Sequence, residues 1–185
     1  MSVEPITLDE AKLHLRVDSA ADNALITGLI TTARLLAERH TGRVFITANL
    51  TVIYDEAGES FELPYPPLQD LTKIETINDA GVKTEVSSAI YDADLSTNTP
   101  GRVRLKDGNS WPTHRGFASF IVTFKAGYGD AGSDVPDLIK QAILQTIANL
   151  YENRGAQEGT PAARRMQNLP AEAAVLLSSY KVYTL

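Results

Sequence analysis

The chain has 185 residues, a formal charge of −6 and no cysteine, so disulfides, thiolate metal sites and cysteine nucleophiles are excluded. Its acidic balance, with an isoelectric point of about 5.1, lacks the broad basic footprint that wrapping nucleic acid requires. Hydrophobic residues at 43% and charged residues at 22% suit a soluble globular protein; no apolar run approaches the roughly 20 residues of a membrane span, and the opening Met1-Ser2-Val3-Glu4-Pro5 carries no signal-peptide pattern, which together predict a soluble chain made in the cytoplasm.

Two helices open the sequence. Thr7-Leu8-Asp9-Glu10 spells a capping box, in which the Thr7 hydroxyl accepts from the Glu10 amide and the Glu10 carboxylate reaches back. Leu8, Ala11, Leu13 and Leu15 then predict a short helix to about Val17. The second helix is expected from near Asp22 to His40, with Leu25, Ile26, Leu29, Ile30, Ala33, Leu36 and Ala37 forming one apolar stripe. Gly42 stands where a left-handed cap ends such a helix.

From Val44 to Ala126 the chain turns to Thr, Val, Ile, Tyr and Phe in short runs between turn signals, the composition of strands. Ala48 to Tyr54 and Ser60 to Leu63 flank Asp55-Glu56-Ala57-Gly58 and predict a hairpin; Leu71 to Ile77 and Val82 to Val86 flank Asn78-Asp79-Ala80-Gly81 and predict a second. Pro64, Pro66 and Pro67 break any continuous strand between them. Arg102 to Lys106 alternates charged with apolar residues, and Ser119 to Ala126 places Phe120, Val122 and Phe124 on one face. The whole stretch reads as a small, mostly antiparallel β unit.

Helix returns at Pro136, suited to a first turn, after a cap region at Asp134. Leu138, Ile139, Ala142, Ile143, Ile147, Leu150 and Tyr151 form its stripe, with Asp137 and Arg154 matched to the helix dipole. Gly155 to Asn168 reads as a loop, and a last short helix is expected from Pro170 to about Tyr180. The predicted class is α+β: a four-helix core, two helices before and two after, with a small antiparallel β unit in the middle. The corresponding domains are a helical core of residues 1–43 and 133–185 and an inserted β unit of residues 44–132, packed as one compact chain.

Few residues suggest chemistry. Gly127-Tyr128-Gly129-Asp130-Ala131-Gly132 matches the glycine pattern of dinucleotide sites. Its context does not fit, because Ser133 to Pro136 intervene before the helix and no parallel strand with an acidic ribose ligand follows. The simpler reading is a strand-to-helix turn needing positive φ. His14, His40 and His114 are scattered, no nucleophile elbow is present, and Asp92 and Asp94 read as solvated carboxylates, so no catalytic, cofactor or metal residue is assigned. Arg102, Arg104 and Lys106 form a cationic row, read either as an edge strand protected by charge or as a contact to an acidic neighbouring subunit. Arg164-Arg165 is a solvated pair or a docking point, and Trp111 is expected to pack on the β unit. Lys181-Val182-Tyr183-Thr184-Leu185 is a candidate docking segment through Tyr183 and Leu185, against simple fraying.

Taken in order, several segments resemble the head–tail connector families of tailed bacteriophages and prophages. They are Ile6 to Val17, Ala33 to Gly42, Leu63-Pro64-Tyr65-Pro66-Pro67-Leu68, Trp111-Pro112, Lys125 to Gly129 leading to Val135-Pro136, Leu150 to Arg154, and Leu169-Pro170. The resemblance implies a structural virion protein with no catalytic residues. It implies a ring of roughly a dozen copies built on heterologous interfaces. That ring would sit beneath the portal protein at the head–tail junction and join it to a stopper or tail-completion protein, with DNA passing through unread. The competing reading is a small DNA-binding regulator using the N-terminal helix pair. Against it, His14 to Asn23 makes no tight turn, and the second helix carries few basic residues for phosphates. An enzyme, the third alternative, lacks a catalytic constellation.

Overall fold

The computed structural model describes residues 3–154 and 169–183, which form two compact units: residues 3–46 with 128–154 and 169–181, and residues 47–127 with 182–183. The class is α+β, with four α-helices among the described residues and antiparallel sheets.

The first unit holds helices α1 (Leu8–Leu15), α2 (Asn23–Thr41), α3 (Asp137–Glu152) and α4 (Ala171–Leu177). The capping box at Thr7 forms: the Glu10 amide donates to Thr7 Oγ1 at 3.2 Å, and the Thr7 amide donates to Glu10 Oε2 at 2.7 Å. The helix stops at Arg16, which adopts φ 57°, and the Val17 amide closes back on the Lys12 carbonyl at 3.0 Å. This left-handed ending, without glycine, halts α1 two residues before the Val17 expected from the apolar pattern. Gly42 ends α2 in the predicted way, at φ 70° with its amide on the Glu38 carbonyl.

The two Thr7 groups hold the Glu10 carboxyl below its ordinary value of 4.5, the backbone amide most strongly. A depressed folded-state pKa adds stability that is present above the unfolded value and lost as pH falls through the folded one. Wild type and Glu10→Gln are therefore expected to differ in thermal stability at neutral pH and to converge as pH drops below 4.5. The gap should be small because the carboxyl is largely in water. A gap independent of pH would remove the cap from the account.

Ala11, Ile26, Ile30, Ala33, Ala37, Ile139, Ala142, Ile143, Ile147, Leu150, Ala173 and Leu177 meet in one buried cluster with Ile6, Phe45 and Val135. Three apolar residues assigned to the stripes lie outside it: Leu13 is 82% exposed, Leu138 49% and Leu25 39%. At 3.6 residues per turn Leu8, Ala11 and Leu15 share a face, while Leu13 points roughly 140° away from Leu8. Thr146 is buried in α3 instead, its hydroxyl donating to the Ala142 carbonyl at 2.8 Å. Pro136 immediately precedes α3 as its cap, with φ −54° and ψ 140°, rather than sitting in the first turn. The last helix runs on into a 3₁₀ turn to Tyr180, as the sequence predicts.

The second unit holds two sheets. One has the order β1 (Ala48–Tyr54), β7 (Phe120–Ala126), β3 (Leu68–Ile77), β4 (Lys83–Glu85), and the other β2 (Ser60–Leu63), β6 (Gly101–Leu105), β5 (Tyr91–Asp94). The β3–β4 hairpin forms across Asn78 to Gly81, with Gly81 at φ 78° and the Val82 amide on Asn78 Oδ1 at 2.9 Å. The expected hairpin of β1 with β2 does not. β1 pairs with β7 from Ala48↔Ala126 to Tyr54↔Phe120, and β2 pairs with β6 in the other sheet. Asp55 to Gly58 thus carries the chain between sheets, and the Asp55 carbonyl accepts from the Ser119 hydroxyl rather than closing a turn. Phe120, Val122 and Phe124 are fully buried on one face of β7, as their alternation predicts. Trp111 packs as expected, its ring near Phe61, Tyr91 and Phe120 and its indole N–H donating to the Gly58 carbonyl at 2.8 Å. It therefore ties both sheets together.

Candidate assembly surfaces

The cationic row lies on β6, where Val103 is buried and Arg102 and Arg104 face solvent. β6 is the central strand of its sheet, not an edge, which corrects the protected-edge reading. Alternating charged and apolar residues mark any strand with one open face, whether its edges are paired or not. The neighbouring strands supply acids: Arg102 stands across from Glu62 and Asp94, and Arg104 across from Asp92. Arg102 Nη2 lies 3.7 Å from Asp94 Oδ2, and Lys106 Nζ 3.6 Å from Asp92 Oδ1. Such exposed pairs contribute about 0–1 kcal/mol each. The face is a mosaic of both signs, suited to register with a charged partner more than to binding a polyanion.

The glycine run is explained by geometry. Gly127 ends β7 at φ 135°, so positive φ accounts for it alone. Gly129 and Gly132 answer to space: a Cβ on Gly129 would lie 2.1 Å from Asp134 Oδ2, and one on Gly132 2.8 Å from the Glu4 carbonyl oxygen. Gly132 opens a 3₁₀ turn ahead of α3 rather than the helix itself. Calorimetric titration with NAD, FAD or ATP is expected to give no heat of binding; micromolar affinity for any of them would revive a cofactor site.

One network escaped the sequence reading. Arg34 on α2 bonds Glu4 Oε2 at 2.7 Å and Glu38 Oε2 at 2.8 Å, while Glu38 Oε1 accepts from the Phe45 amide at 3.0 Å. Burial pushes the Glu38 carboxyl above its ordinary range, against the lowering effect of Phe45 and Arg34. The i,i+4 spacing of Arg34 and Glu38 was a visible signal; Glu4, thirty residues from Arg34, gave none. With Arg34 so engaged, α2 keeps little cationic surface for phosphates. Among the described residues no group of His, Asp and Glu is arranged to hold a metal. The candidate residues Arg164, Arg165 and Leu185, and the loop expected over 155–168, lie outside the described residues; Tyr183 is 71% exposed.

The sequence pattern of the family described as phage gp6-like head-tail connector protein matches residues 5–102, from the approach to α1 into β6. The chain belongs to this family. Among solved structures, this connector is similar to a chain from the "Neck of empty GTA particle computed with C6 symmetry", with 21% identity, a TM-score of 0.78, and coverage of 98% of this chain and 91% of the other. A chain from the "Virion of native gene transfer agent (GTA) particle" gives 20% identity, a TM-score of 0.74, and coverage of 100% and 94%. One from the "Neck of native GTA particle computed with C12 symmetry" gives 19%, 0.70, and coverage of 100% and 97%. At these identities the likeness is one of fold. No curated protein matches the connector. The family match supports a head–tail connector role and gives the DNA-binding regulator no support.

Proposed function

We propose that this connector is a structural, non-enzymatic subunit that forms a ring of about a dozen copies at the head–tail junction. The observation that carries the reading is the family match through both N-terminal helices and five whole strands, ending just inside β6. It is supported by fold similarity, over almost the whole chain, to proteins of particle necks solved with sixfold and twelvefold symmetry. In this reading four helices make the ring's core, residues 1–43 and 133–185, and the β unit of residues 44–132 is an insert reaching toward partners. The ring docks on a portal protein above and a stopper or tail-completion protein below. Arg102, Arg104, Lys106, Arg164, Arg165, Tyr183 and Leu185 are the candidate contact residues. A net charge of −6 per copy would favour a lumen that repels DNA and lets it slide through. The subunit is made in the host cytoplasm and ends in the virion.

The test is an assembly assay with portal-bearing heads. Wild-type protein is expected to bind them as a ring visible in averaged electron micrographs and to make them competent for tails. Protein that stays monomeric or dimeric beside such heads, with salt-sensitive DNA affinity, would overturn the reading in favour of a regulator.

A further inference from the structure

We propose that α2 of one copy packs lengthwise against α3 of the next, linking neighbours around the ring; this rests on the ring reading above. Both helices turn one side to the shared buried cluster. On its opposite side α2 presents Leu25, Gly28, Thr32 and Leu35, all exposed, Leu35 by 53%. The opposite side of α3 presents Leu138 and Gln141, which are exposed, and Gln145 and Ala148, which are half-buried. Each set is spaced 3, 4 and 3 residues apart and so forms one row along its helix, the arrangement by which two helices lie side by side. Neither row is apolar throughout, so neither stands out in the sequence as a hydrophobic period. Gly28 is the most informative member. Glycine inside a helix is unfavourable, and a Cβ at this position would meet nothing within 4 Å. No packing within the subunit explains it, whereas a second helix laid close against α2 does.

Symmetry and charge select the occupant. The Tyr151 hydroxyl, near the end of α3, donates at 2.6 Å to Oδ2 of Asp22, just ahead of α2, so the two helices of one chain run in opposite directions. A ring of about a dozen turns each copy by about 30° from the last, and α3 of the next copy therefore also runs opposite to α2. In that sense a single register sets Leu35 against Leu138, Thr32 against Gln141, Gly28 against Gln145 and Leu25 against Ala148. Leucine meets leucine, and the long Gln145 side chain comes over the space at Gly28. The same register brings Arg39, in the last turn of α2, to Asp137, in the first turn of α3. Both are exposed, and neither joins an ion pair among the described residues. The contact joins two different faces, so it is heterologous and passes from copy to copy; α2 against α2 would be isologous and would stop at a dimer.

The chain has no cysteine, which makes engineered pairs unambiguous. Full-length protein carrying Leu35→Cys together with Leu138→Cys is assembled on portal-bearing heads and oxidised. Within one chain both positions face away from the cluster that α2 and α3 share, so a bridge between them reports contact between copies. A reducible ladder of linked copies is expected, given neither by the single variants nor by the out-of-register pair Leu25→Cys with Leu138→Cys. Rings seen by microscopy without that ladder, or with a bridge inside one chain only, would overturn the inference and leave the connector reading standing. Absence of rings from wild-type protein would remove both. A second variant, Gly28→Leu, places a side chain where the subunit has open space. Its circular dichroism and thermal stability are expected to match or exceed those of the wild type, with ring yield down at least tenfold. Undiminished rings would overturn the proposal, and so would loss of the fold, which would show that Gly28 serves the subunit itself.

Discussion

An Ile143→Asp chain is expected to be found in the insoluble fraction after expression, with none of the helical signal of the wild type. Ile143 is fully buried in the middle of α3, inside the cluster shared with residues of α1, α2 and α4. A carboxylate placed there has no cation to meet, and an unpaired buried charge costs several kcal/mol. Total stabilities of single domains are only about 5–15 kcal/mol. Ile30→Asp should also fail, but by less: Ile30 borders a groove of about 490 Å³ lined by Val3, Glu4, Ile6 and Leu8, through which a carboxylate can reach water. Soluble yield and far-ultraviolet dichroism check both. A well-folded Ile143→Asp chain would mean that α3 presents another face to the core.

Phe120→Ala should be the costliest single truncation in the β unit, at about 3–5 kcal/mol. The Phe120 ring is fully buried, edge-on to Trp111 with centroids 5.4 Å apart and to His114 at 4.7 Å. Removing it opens a void under the aromatic group that joins the two sheets. Trp111 is the only tryptophan, so its fluorescence follows this unit, while dichroism at helical wavelengths follows the other. Denaturant titration should move the fluorescence transition strongly toward lower concentration and the helical transition much less. A fluorescence shift below about 1 kcal/mol would show that the void collapses or that Phe120 packs away from Trp111.

What was readable from the sequence was local. The Thr7 capping box, the Gly42 ending of α2, the Asn78 to Gly81 turn and the alternation of Phe120, Val122 and Phe124 each depend on residues within a few positions of one another, and each is found. What was not readable was pairing across distance. β1 and β2 are near in sequence with a turn-like spacer, yet β1 runs beside β7, with Thr51 paired to Thr123, and β2 beside β6. Nothing in β1 names its partner, because main-chain hydrogen bonds are the same for every strand; the choice is made by burying whole faces at once. The same limit made β6 look like an edge. For the assembly surface it is stronger still: the residues that decide it are exposed, and exposure leaves no periodic trace.

Where the chain leaves the helical unit and where it comes back are side by side. Ile46 bridges Gly129 in parallel, and the Tyr128 amide donates to the Phe45 carbonyl at 3.0 Å. At the other end of the same two crossings, Ala48 is paired with Ala126. Residues 47–127 therefore form a closed excursion whose ends are fixed to each other, and a loop whose ends already meet adds little closure entropy however long it grows. Such a joint lets residues 47–127 be lengthened, shortened or exchanged while the helices keep their packing. One helical chassis can then be refitted for different particles by changing a single uninterrupted stretch of gene.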